Sequence, residues 1–295
     1  MIFFQKRGKF MQKREEIRIR DPFIFVDRKA SLYYLYGTTA LEPDSILAGN
    51  SFDVYVSKDL ELFDGPYRVF DGNWQPFWAD RDFWAPEMHC YRGKYYLIGS
   101  FKTDGHCRGT QILRADSPIG PFAPISDQPQ TPIDWECLDG TLWVEGETPY
   151  LVFCHEWLQT VTGQMCAVEL SEDLSRPVGE PFVLFQATDN PVVEPFAGPP
   201  GEKCSVTDAP WLYRENGKLK MLWSSYAENH RYVVLEAEAD SIRGPWKHKE
   251  PRFSFDGGHA MLFDALDGTR YISLHRPNVS PLERPVFMPF DKEEI

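Results

Sequence analysis

The sequence has no CxxC pair, no basic stripe and no apolar stretch of membrane-spanning length. Its six cysteines (Cys90, Cys107, Cys137, Cys154, Cys166, Cys204) stand at irregular spacings. That spacing argues against a zinc site or a dithiol redox motif and suits buried small side chains in a reducing compartment. Lys and Arg number 31 against 44 Asp and Glu, a formal charge of −13. Neither nucleic acid nor an anionic membrane is therefore an expected partner, whereas a neutral glycan is indifferent to that charge. Met1 to Phe4 is too short for a signal-peptide core and is followed at once by charge, so the chain is expected in the cytoplasm; a secreted form with its leader removed fits the same residues. An EF-hand loop is missing too.

What the sequence does have is 15% aromatic residues, with 24 Pro and 21 Gly spread along the chain rather than gathered in a linker. That composition predicts strands and tight turns. At 295 residues the chain is long for an ordinary domain, but repeat folds reach this size as one unit, and residues 1–295 read as a single domain.

The organising feature is an internal repeat. Asp21-Pro22-Phe23-Ile24 opens an apolar strand, a polar turn follows at Asp27 to Ser31, and Leu32 to Thr38 forms a second strand. The design returns at Ala85-Pro86-Glu87-Met88, Asp139-Gly140-Thr141-Leu142, Asp208-Ala209-Pro210-Trp211 and Gly257-Gly258-His259-Ala260. Each of the first four hairpins is followed by a second pattern ending in Gly65-Pro66, Gly120-Pro121, Gly179-Glu180-Pro181 or Gly244-Pro245, read as an outer hairpin with a Gly-Pro turn. Inner plus outer hairpin is a propeller blade. The predicted fold is all-β: a five-bladed β-propeller with mostly four-stranded blades, whose cores start near residues 21, 85, 139, 208 and 257. Either Arg284 to Phe290 or Ile2 to Ile19 would complete the last blade.

Inner strands line a propeller's channel, so the ionisable residues at their openings converge: Asp21, Glu87 with Trp84 beside it, Asp139, Asp208 and His259. Carboxylates gathered in one pocket push their pKa values apart, as an acid and base pair for glycoside hydrolysis requires. Trp84 is the first candidate to stack on a sugar ring, with Trp74, Phe77, Trp78 and Trp135 beside it; Trp211 and Trp223 read as core. Arg276 is placed to reach a sugar hydroxyl, and Arg20 to lower the pKa of Asp21.

The set Arg20-Asp21-Pro22, Trp84-Ala85-Pro86-Glu87, Leu138-Asp139-Gly140, Thr207-Asp208-Ala209-Pro210 and Gly258-His259-Ala260-Met261 resembles glycoside hydrolase family 43, over roughly Arg20 to Asn278. The resemblance implies a five-bladed propeller that cleaves α-L-arabinofuranosyl or β-D-xylosyl linkages with inversion. It implies Asp21 as general base, Asp139 as the carboxylate tuning the acid, and His259 near an axial cation, usually calcium, held mainly by water. Asp208 stands where the family has a Glu general acid, one methylene longer. Misplacement on that scale costs about 100-fold in rate. Three outcomes follow: a site built around the shorter acid, a substitute in Glu136 or Glu156, or impaired activity. Terminal cleavage is favoured, since a cytoplasmic enzyme meets short imported oligosaccharides. The alternatives are an endo-arabinanase, a fructan- or β-mannoside-active propeller, and a non-catalytic glycan-binding propeller. Loop heights at Pro43 to Asn50, Gly72 to Asp82 and Thr188 to Lys203 would set the specificity.

Overall fold

A computed structural model describes residues 11–39, 49–74, 76–199, 201–253 and 255–290. Five antiparallel sheets follow one another along the chain. Their innermost strands are Arg20–Asp27, Arg81–Tyr91, Cys137–Glu145, Asp208–Glu215 and Gly258–Asp264, in blades 1 to 5. Each inner strand packs against those of the blades before and after it, including blade 5 against blade 1, so the ring is closed. This is the five-bladed propeller, with four-stranded sheets in blades 2, 3 and 4.

The inner hairpins form where the turn chemistry permits. Arg92 and Gly93, then Asn216 and Gly217, are left-handed pairs at two-residue turns, the geometry whose twist matches antiparallel strands. Between blades the sheets bury apolar faces. Phe52, Phe70, Phe83 and Phe101 pack between blades 1 and 2, and Trp223 lies fully buried between blades 3 and 4, so its core reading holds.

The two termini divide the work. Arg284–Pro289 pairs with Arg270–Arg276 as the third and outermost strand of blade 5, while Met11–Lys13 adds a fifth strand to blade 1. The Gly-Pro turn reading holds at Gly120 and Gly244, whose N–H groups close turns onto Ser117 O and Ser241 O, and needs correction at Gly65 and Gly179, which lie inside strands. Gly65-Pro66 lies inside the outer strand Leu62–Asp71, and the turn before it is at residues 58–61, capped by Asp59 and Ser57. Residues 43–48 of the first specificity loop lie outside the described residues. The third, Thr188 to Lys203, carries a short ribbon of Phe196–Ala197 with Lys203–Cys204.

One irregularity recurs in every inner strand and builds the site. The ladder to the second strand breaks after Arg20, Trp84, Leu138, Asp208 and Gly258, which pair with Thr38, Ser100, Cys154, Ser224 and His275. The next residue, Asp21, Ala85, Asp139, Ala209 or His259, has a positive φ between 46° and 56°. Such a β-bulge turns a side chain off the sheet's alternation and leaves one backbone group without a ladder partner. Proline follows three of them, Pro22, Pro86 and Pro210, where the missing N–H costs nothing.

The orphaned bulge N–H is satisfied by the neighbouring blade. Thr38 Oγ1 accepts from Ala85 N (2.7 Å), Ser100 Oγ from Asp139 N (2.8 Å), Ser224 Oγ from His259 N (2.9 Å) and His275 Nδ1 from Asp21 N (3.2 Å). At the third junction the acceptor position is Cys154, a weak partner, and the Asp139 carboxylate takes Ala209 N at 3.2 Å.

Candidate active site

The bulges aim Asp21, Asp139 and His259 into a cavity of about 320 Å³ at the end of the channel where the inner strands start. Asp208, one residue before its bulge, lines it as well, with Trp84 and Arg20. Tyr232, Thr38, Arg18, Asp82, Ser280 and Glu283 complete much of the wall.

The imidazole of His259 is the electrostatic centre. Its Nδ1 lies 3.0 Å from Asp21 Oδ1 and 3.8 Å from Asp139 Oδ2. Burial favours the neutral ring, yet the two carboxylates outweigh it and hold the imidazolium, up at about 9. Asp21 also accepts from Thr38 Oγ1 at 2.6 Å. Burial alone would raise this carboxyl; the His259 imidazolium and, as expected, Arg20 hold it well below the usual carboxylate range. Asn278 Oδ1 tethers the Arg20 guanidinium at 2.7 Å.

The other two carboxyls move upward. Burial raises Asp139 to about 6, with His259 drawing it down and Asp21 pushing it up. Burial and then the neighbouring Asp139 hold Asp208 well above the usual range, and Tyr232 OH donates to its Oδ2 at 3.1 Å. Asp21 is thus kept ionised and Asp208 kept protonated, with Asp139 between them in acidity.

His275 is buried and neutral: burial lowers it to about 4 despite Asp21. The neutral ring accepts Asp21 N on Nδ1, leaving Nε2 to donate to Asn278 Oδ1 at 3.1 Å. The 3.4 Å approach of Nδ1 to Asp21 Oδ1 is then a close contact rather than an ion pair.

Other expected residues fall elsewhere. Glu87 lies two residues past the bulge, buried, with its carboxylate on His89 Nε2 at 2.9 Å and away from the cavity lining. The equivalent of Asp21 in that blade is Ala85. Arg276 is exposed and lies over the Phe255 ring at 4.4 Å. Glu136 accepts from Lys102 Nζ and Arg108 N, and Glu156 pairs with Arg108 at 3.3 Å, so both hold structure. Trp84 lines the cavity with the Arg108 guanidinium 3.6 Å from its ring centre. Phe77 belongs to the phenylalanine cluster, Trp78 bonds Gln111 in a separate cleft, and Trp135 stacks on His155 at 4.2 Å. Trp74 is exposed and Trp211 packs on Phe23.

The donor set does not fit a protein-caged cation at His259. Among the described residues no group of three or more His, Cys, Asp or Glu side chains is placed to hold a metal.

Comparison with known proteins agrees with this geometry. The sequence profile described as glycosyl hydrolases family 43 matches residues 16–289. An endo-arabinase from Bacteroides thetaiotaomicron VPI-5482 shares the fold with a TM-score of 0.88 and 40% identity, over 97% of this chain and 99% of that one. An α-L-arabinofuranosidase from Lactobacillus brevis gives a TM-score of 0.72 at 17% identity, over 95% and 94% of the two chains, a likeness of fold. A curated "Xylosidase/arabinosidase" from Bacteroides ovatus is 23% identical in a match that covers 58% of this chain and 57% of that relative's length.

Proposed function

The chain belongs to glycosyl hydrolases family 43 and is a glycoside hydrolase, and from that premise we propose that it cleaves α-L-arabinofuranosyl or β-D-xylosyl linkages with inversion. Asp21 is the base, Asp208 the acid and Asp139 the group that keeps the acid protonated. The observation that carries this reading is the opposed pair at the cavity: Asp21 held ionised by His259, and Asp208 held protonated by burial and Asp139. Asp21 takes a proton from water as the water oxygen attacks the anomeric carbon. Asp208 gives its proton to the glycosidic oxygen as the carbon–oxygen bond breaks and the electron pair goes to that oxygen.

The names of the relatives support arabinan- or xylan-type substrates. A cavity of about 320 Å³ is small for a ligand site and supports cleavage at a chain end, one or two sugars being held at a time. Internal cleavage is the second reading, favoured by the 40% identical relative being an endo-arabinase. All six cysteines are unpaired and four are buried, which supports the cytoplasm as the site of action.

Incubation with a panel of arabino- and xylo-oligosaccharides, followed by product sizing and by proton NMR of the first anomer released, tests the reading. Release of the inverted anomer of a monosaccharide is expected. A retained anomer overturns the base and acid roles, and a ladder of internal fragments overturns the terminal mode.

A further inference from the structure

Tyr232 stands on the third strand of blade 4, Arg231–Ala239, and is 3% exposed. Its ring is stacked on His275, with centroids 5.8 Å apart and planes at 14°, and tilted against Tyr226 at 5.5 Å. On another side lies Gly258, the residue before the blade 5 bulge. A β-carbon there would come within 2.4 and 2.6 Å of Tyr232 Cε1 and Cδ1. Blades 1 to 4 carry Arg20, Trp84, Leu138 and Asp208 at that register position, so blade 5 gives up a side chain where the tyrosine ring passes. The backbone is pinned as well: Tyr232 N donates to Asp256 Oδ1 at 3.1 Å, and Tyr232 O accepts from Gly257 N at 2.8 Å.

A ring fixed on these sides delivers its hydroxyl to one place, Oδ2 of Asp208 at 3.1 Å. We propose that Tyr232 is the positioning residue of the general acid: by taking Oδ2 it leaves Oδ1 to carry the proton to the glycosidic oxygen. A short carboxylic acid turns freely about two torsions, and a donor on one oxygen removes that freedom. This is how the site is built around an Asp. The inference rests on the proposed role of Asp208 as acid.

The test uses Tyr232→Phe, which keeps the packed ring and decides the inference, and Gly258→Ala, which displaces the ring and also presses on Ser224 Oγ, the acceptor of His259 N. Each is assayed on arabino- and xylo-oligosaccharides and on dinitrophenyl α-L-arabinofuranoside and β-D-xyloside, whose leaving group departs without a proton. On oligosaccharides Tyr232→Phe is expected to lose about 10-fold in kcat with KM within about 2-fold, and on the activated glycosides the loss shrinks to about 2-fold or less; Gly258→Ala is expected to lose at least as much on oligosaccharides. Equal losses by Tyr232→Phe on both substrate classes, or losses in KM alone, overturn the inference. Asp208→Asn in parallel separates it from the reading beneath. Full oligosaccharide turnover by that variant, or none by the wild type, removes the acid itself. An inactive Asp208→Asn beside a Tyr232→Phe that matches the wild type removes Tyr232 alone.

Discussion

His275, on the second strand of blade 5, accepts the backbone N–H of Asp21, on the first strand of blade 1, at 3.2 Å. The contact joins the end of the ring to its beginning at the proposed base. It requires a neutral imidazole, which burial provides.

Protonation of His275 should therefore weaken the fold. Its folded-state pKa lies below the unfolded value, so its contribution is complete above about 6.5 and is lost as pH falls through about 4. A His275→Asn variant is expected to be less stable near neutrality and to lose less on acidification than the wild type. Melting temperatures from pH 7 to 4 check this; parallel curves for the two proteins would contradict it.

Asp21→Asn is expected to lower kcat by about 1000-fold or more while leaving the fold intact. Asn tolerates the left-handed backbone that Asp21 adopts at φ 53°, whereas Ala adds strain there. Circular dichroism and oligosaccharide hydrolysis measured together are decisive: a folded variant with substantial turnover denies Asp21 the base role.

Asp139→Asn should move the alkaline limb of the kcat/KM profile to lower pH. Burial and then the Asp139 charge raise the acid, and the amide removes that charge while its oxygen can still accept from Ala209 N. The sign is fixed, because an acid without its anionic neighbour ionises earlier. An unmoved or upward-shifted limb would mean that another group sets it.

Trp84→Ala is expected to raise KM about tenfold with a smaller change in kcat, the loss of one aromatic face for a sugar. Arg108 lies 3.6 Å from the ring centre and should hold the indole in place before substrate arrives. Initial rates over a range of oligosaccharide concentrations measure it, and an unchanged KM would return Trp84 to a packing role.

Much of this was legible in the sequence because the repeat marks itself with proline and glycine. Asp-Pro, Ala-Pro and Asp-Gly at the strand openings fall on the bulges and mark Asp21 and Asp139, and the Gly-Gly before His259 marks the fifth. Glu87 misleads by its charge, since the residue at the bulge of that blade is Ala85, two positions earlier. Thr38, Ser100, Ser224 and His275 were invisible for another reason. They act through register, and only pairing each with the residue before a bulge reveals that they bind the next blade. Tyr232 gave no signal beyond an aromatic in a strand, since its role depends on the missing side chain of Gly258.

Cys154 breaks the pattern of those four acceptors, and the Asp139 carboxylate does its mechanical work. Electrostatics and cohesion meet at that junction: a change at position 139 that removes its acceptor oxygen alters both the charge beside Asp208 and the seam between blades 3 and 4. An engineer wishing to vary the pH response without loosening the ring would begin with Cys154→Ser, which places a hydroxyl where the other junctions have an oxygen or nitrogen acceptor and frees Asp139 to be changed for its charge alone.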